Sequence, residues 1–247
     1  MKRAHPNPAA DPAGAALPQP AAAQPAPVAR KPRKPRKRAP GRRPGADAVD
    51  LRERLLDAAL ACFVAHGINA TSLRDIARRA GVTPALVHYY FGDKLQLRQA
   101  VVAERLLPVM ATVHAGVAEA GDDVAATVGG FVTGITRAVV ANPWLPTLWV
   151  REILCEGGAL RGMMIEQAGP LLPRLLVERL SAAQLAGRLA PALDPRLMVV
   201  SMVGLTMFPL ASAPIWQQVF GAGELGADAV QRHALAVLTQ VLEPGHE

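Results

Sequence analysis

Residues 71–94, TSLRDIARRAGVTPALVHYYFGDK, hold two sets of helix start and stop signals in quick succession. Ser72 can cap a helix, with Asp75 three residues on as the reciprocal partner of a capping box. Leu73, Ile76, Ala77 and Ala80 recur at i, i+3, i+4 and i+7, which is one apolar face, and Gly81 stops the helix after two turns. Val82 anchors a tight turn, Thr83 is a second cap, and Pro84 stands at the first helical position, where its missing N–H costs nothing. A second short helix is therefore expected from Pro84 to about Tyr90, with Val87 and Phe91 turned inward. Thr83, Pro84, Ala85, Leu86, His88 and Tyr89 remain on or near its outer face, while Tyr90 packs with its hydroxyl outward. Leu86 beside Ala85 on an exposed face needs a cover, and a thymine methyl in the major groove of DNA has the right chemistry.

Upstream, Leu51, Leu55, Ala59 and Phe63 recur every four residues, with Leu56 and Leu60 widening the stripe and Arg52, Glu53, Arg54 and Asp57 opposite. That pattern predicts an amphipathic helix over residues 50–66, ended by Gly67, with His66 an exposed C-terminal residue. Downstream, Asp93 can cap a helix that starts at Lys94 and runs through Leu97, Val101 and Leu106. Pro108 lies inside its apolar pattern and predicts a kink or break.

Together these segments carry LLDAAL..F...G...TSLRDIA..AGVTP..V.YYF.DK over residues 55–94, which resembles the DNA-binding domain of the TetR family of bacterial transcriptional regulators. The resemblance implies a three-helix helix-turn-helix domain whose third helix is the recognition helix. It also implies phosphate contacts from the positions of His88, Tyr90 and Lys94. His88 departs from the family pattern, in which tyrosine is usual. The recognition helix has no Arg, Asn or Gln for a bidentate base contact, so readout is expected to lean on Arg74, Thr83 and apolar contacts, or on DNA shape, with Ser72 a further candidate DNA-binding residue.

Residues 1–49 hold 11 of the 22 prolines, and 11 Lys or Arg against 2 acids, whereas residues 50–247 hold 16 bases and 18 acids. The excess positive charge of the chain is thus confined to a Pro/Ala-rich tail that cannot bury enough apolar surface to order itself. Nine of the fourteen residues 30–43 are cationic, an arm suited to DNA phosphates, with Arg42 and Arg43 nearest the fold and able to enter a minor groove. Cys62 and Cys155 match no metal-ligand spacing and read as reduced, structural residues of a cytoplasmic protein. Lys2-Arg3 is not followed by an apolar signal region, and residues 197–223, although uncharged, read as a buried helix rather than a membrane span.

The remainder is helical in pattern, with helices expected over 123–141, 146–155, 160–189 with an interruption near Gly169-Pro170 and Pro173, from 195 onward, and 227–242. The expected organisation is all-α: a basic tail over 1–49, a helix-turn-helix domain over 50–98, and a helical ligand-binding and dimerisation domain over 99–247. Met110, Phe131, Trp144, Trp149, Met163 and Met164 are candidate walls for a small-molecule effector, with His114, Arg137, Arg151 and Glu152 as candidate polar groups. Residues 197–223 and the last helix are the candidate homodimer interface, which would set two recognition helices one DNA turn apart on a pseudo-palindromic operator. No nucleophile–base pair, phosphate loop or metal cluster is legible, so no enzyme, cofactor or metal is expected. The expected function is a sequence-specific transcriptional regulator, a repressor released by a small molecule. The alternative is a non-specific or architectural DNA binder driven by residues 30–43.

Overall fold

Helix α1 runs Pro44–His66, so it starts ahead of the expected Asp50 and takes in the end of the proline-rich segment. The computed structural model describes residues 44–168 and 171–242; the basic run before α1, including Arg42 and Arg43, lies outside the described residues. Leu55, Leu56, Ala59, Leu60 and Phe63 of α1 are buried, as the four-residue spacing requires. Helix α2 (Leu73–Ala80) opens with the full Ser72–Asp75 capping box and closes on Gly81 at φ 69°, a left-handed turn that costs glycine nothing. Helix α3 (Pro84–Phe91) follows, and its inward residues Val87 and Phe91 close a small core with Ile76 and Leu55.

Helix α4 spans Lys94–Ala118 and is capped by the Asp93 carboxylate, which accepts from Gln96 N at 2.8 Å. The break expected at Pro108 takes a definite form: a π-helical turn over Val102–Leu106, immediately before it. Pro108 has no N–H for the carbonyl four residues back and its ring would collide with that oxygen, so widening the preceding turn by one residue relieves the conflict.

Helix α5 (Val124–Ala141) is the centre of the second half, packing against α4 and against four of the helices that follow it. Helix α6 comprises Leu145–Trp149 and a second π-helical turn, Val150–Leu154. The segment 160–189, expected to be interrupted near Gly169-Pro170, forms two helices: α7, made of Arg161–Met163 and a third π-helical turn, Met164–Ala168, and α8, Leu171–Leu185. Pro173 sits in the first turn of α8, where a proline is tolerated. Helix α9 (Pro195–Phe220) continues through Pro209 and Pro214, and the Trp216 indole N–H donates to the Pro209 carbonyl at 2.8 Å. Helix α10 is Ala227–Leu242, as its periodicity predicts.

The described residues contain no strand. Helices α4, α5 and α9 are each long and apolar enough to cross a membrane by length and composition. In α5 that apolarity faces neighbouring helices, with Thr127 and Thr136 buried among Val128, Phe131, Val132 and Ile135.

Candidate nucleic-acid interface and effector cavity

Thr83, Pro84, Ala85, His88 and Tyr89 are exposed on one side of α3, and Tyr89 is the most open aromatic there at 81% exposure. Tyr90 is half-buried against the core and meets Tyr89 edge-on, ring centroids 5.4 Å apart. Leu86 corrects the expectation: it is half-buried, because it lies one position from the inward Val87 and sits on the flank of the helix rather than its crest. Thr83 is at the N-cap position but its side chain makes no capping bond, leaving the hydroxyl to solvent. Ser72 is committed to the capping box, its Oγ accepting from Asp75 N at 3.2 Å, and the Asp75 carboxyl lies below its ordinary pKa through the hydrogen bonds from Ser72. Arg74 is exposed. The His88 Nδ1–H donates to Gly92 O at 2.5 Å, which leaves Nε2 outward. Lys94 Nζ donates to Asn69 O at 2.8 Å, so its charge is held against the α1–α2 connection.

A cavity of about 1180 Å³ opens among α4, α5, α6, α7, α8 and α9. Met110, His114, Phe131, Trp149, Met163 and Met164 line it, whereas Trp144 does not and packs against the core instead. The expected polar groups Arg137, Arg151 and Glu152 are not in the lining either; Gln99, Arg161 and Arg174 are. All three π-helical turns contribute lining: Val102, Ala103 and Leu106 from the first, Ile153 and Leu154 from the second, Met164 and Ile165 from the third.

Two of those turns hold the helix-turn-helix with their other side. In the first, Glu104 receives both Arg52 guanidinium nitrogens at 2.6 Å, and Arg105 binds Glu53 at 2.6 Å and Asp57 at 2.9 Å. Arg52 also stacks over the Phe91 ring at 5.2 Å, joining the end of α3 to this cluster. The Arg52 fork holds the Glu104 carboxyl below the usual glutamate range. In the second turn, Glu152 is buried at 3% exposure, with Oε1 accepting from Ile68 N at 2.9 Å and Oε2 from Ala159 N at 3.0 Å. Arg151 donates to Val64 O at 3.0 Å, and Asn69 Nδ2 to Gly157 O at 3.1 Å. Gly158 completes the fit: a Cβ there would lie 2.4 Å from the Glu152 backbone oxygen. Thus the end of α1 and its connection to α2 rest on the π-helical end of α6 and the loop after it. Glu152, Glu104 and Arg105 were not recognised as bridging residues from sequence, although the acid–base alternation on α1 was a signal for the last two.

Cys62 is buried, and burial pushes its thiol pKa up. Cys155 corrects the expectation of a structural residue: it is exposed at the end of α6.

Residues 55–101 match the family model for bacterial regulatory proteins of the tetR family. The chain carries a TetR-family DNA-binding domain. Over 68 residues, 28% of the chain, the sequence is 46% identical to the HTH-type transcriptional regulator SrpR of Pseudomonas putida. It is 37% identical over 67 residues to the HTH-type transcriptional repressor BepR of Brucella suis. The matched segment spans 32% of each of those two relatives. Solved structures share the wider fold. The fatty acid degradation regulator FadR from Bacillus halodurans superposes with a TM-score of 0.59 at 20% identity, covering 79% of this chain and 97% of that one. The hemolysin II regulator HlyIIR gives 0.59 at 22% identity, covering 77% and 98%. The TetR-type domain is thus shared in sequence, while the helices after it are shared in fold alone.

Proposed function

We propose that this chain is a homodimeric transcriptional repressor whose release from DNA is driven by a small molecule in the α4–α9 cavity. The observation that carries this reading is the double-sided use of two π-helical turns, 102–106 and 150–154. Each lines the cavity with apolar side chains and grips α1 or the α1–α2 connection with polar ones. Such a turn has an alternative, the ordinary α-helical turn, which would rotate every later side chain about the helix axis. A ligand that favours one form by tenfold contributes about 1.4 kcal/mol to the switch. Two similar proteins named as repressors, BepR and the probable acrEF/envCD operon repressor of Escherichia coli, support the sign.

On DNA, Arg74, Thr83, Pro84, Ala85, His88, Tyr89 and Lys94 form the contact face, with Tyr90 behind it and Leu86 at the edge. Arg42 and Arg43 would reach the adjacent minor groove. The second copy docks on α9, where Leu197, Val200, Gly204, Phe208, Ile215 and Val219 form one exposed stripe at helical spacing. An apolar stripe of that length is more than an isolated surface normally carries. Gly204 in its middle has open space around the Cβ position, which lets a second helix cross closely.

The test is a gel-shift with the DNA upstream of the chain's own gene, on the full chain and on a variant lacking residues 1–43. Retained site selection at reduced affinity is expected from the variant. Loss of all sequence preference would favour the architectural reading, in which the cationic residues 30–43 supply the binding.

A further inference from the structure

The cavity lining holds no carboxylate among its described residues; its charged members are Arg161 and Arg174, with His114 the other titratable group. This contrasts with the rest of the folded part, where acids slightly outnumber bases. Arg161 and Arg174 make no ion pair or side-chain hydrogen bond with any described residue, unlike Arg52, Arg105 and Arg179, which are all engaged. Both are exposed, as are Leu154, Ile165 and Leu171 on the same lining, so these five mark the mouth. Phe131, Ile135, Leu148 and Leu176 are buried and form the floor. A long apolar interior therefore ends at an opening whose charged lining residues, among those described, are two uncommitted arginines.

We infer that the effector is an anionic amphiphile, an apolar chain with a carboxylate or phosphate head, its tail on the floor and its head held by Arg161 and Arg174. This rests on the reading of the cavity as the effector site. A cationic amphiphile would meet two arginines with no acid to receive it, and a neutral one would leave their forks unused. Guanidinium forks match carboxylate and phosphate oxygens in pairs.

The test is calorimetric titration of the full chain, without DNA, with dodecanoate, dodecyl phosphate, dodecanol and dodecyltrimethylammonium, each below its micelle threshold. Both anions are expected to bind at least tenfold more tightly than the alcohol, as charge-assisted hydrogen bonds imply. The cation should bind more weakly than the alcohol. Comparing decanoate with dodecanoate should show about fifteenfold for two buried methylenes. In the double variant Arg161→Gln, Arg174→Gln the anions should fall to the level of the alcohol while alcohol binding is unchanged, which also shows the cavity intact. Ala111→Phe, which adds a ring to the lining, should weaken all four. Equal affinity for alcohol, anion and cation, or an anion preference that survives the double variant, would overturn the assignment. So would a flat dependence on chain length, which would place the anions on surface arginines alone. Because the readout does not involve DNA, tight anion binding without release of a DNA complex would contradict the repressor reading and leave the ligand class standing.

Discussion

Glu152 shows how much one side chain can hold. Its two oxygens take the backbone N–H groups of Ile68 and Ala159, one in the DNA-binding unit and one in the loop after α6. Glu152→Gln replaces one acceptor with an amide that faces a donor, so one buried N–H loses its partner. The expected cost is about 1–3 kcal/mol, read from the denaturant midpoint, and an unchanged midpoint would remove Glu152 from the bridge. Gly158→Ala should be at least as damaging, because the backbone oxygen it would strike has no rotamer to escape into. The two cysteines separate at the same scale. Cys155 should react promptly with a thiol reagent, whereas Cys62, buried and with its thiolate disfavoured, should react only as the chain unfolds. One rapidly labelled thiol per chain is the expected count, and two would show that α1 opens readily.

Among the elements, the cluster of α1 on the first π-helical turn ties stability to pH. The Glu104 pKa is lower folded than unfolded because Arg52 donates to the carboxylate. Its contribution is therefore full above the ordinary glutamate pKa and is lost as pH falls through the depressed value. Wild type should exceed Glu104→Gln in stability by a constant margin at neutral pH, a margin that shrinks as pH falls below the ordinary glutamate range; a margin independent of pH would contradict the pairing. The pair is half-exposed, so the margin should be modest, about 1 kcal/mol or less. What could be read from the chain alone divides along the same lines. The caps at Ser72 and Asp93 and the stop at Gly81 were legible because each is set by residues within one turn. Met110, Phe131 and Trp149, named as candidate walls from residue type alone, line the cavity, whereas Trp144, named on the same ground, does not. Glu152 was misplaced because the π-helical turn at 150–154 inserts one residue, and 3.6-residue spacing cannot be carried through it. Arg161 and Arg174 were not legible as lining because they stand on two separate helices, and local spacing does not set how those helices meet in space.

At the scale of the molecule, the exposed stripe on α9 and the open face of α3 must act together if two copies read one operator. Phe208 is 67% exposed in the centre of the stripe. Phe208→Glu should leave the fold intact and shift the protein from dimer to monomer in sedimentation velocity. A dimer unaffected by this change would place the interface elsewhere. The most direct test of the DNA-binding reading is selection of bound duplexes from a random DNA pool by the full chain at moderate salt. The expected result is an enriched pseudo-palindrome whose half-sites are about 10 base pairs apart, or a multiple of that. An unenriched pool, bound in proportion to its concentration alone, would contradict it.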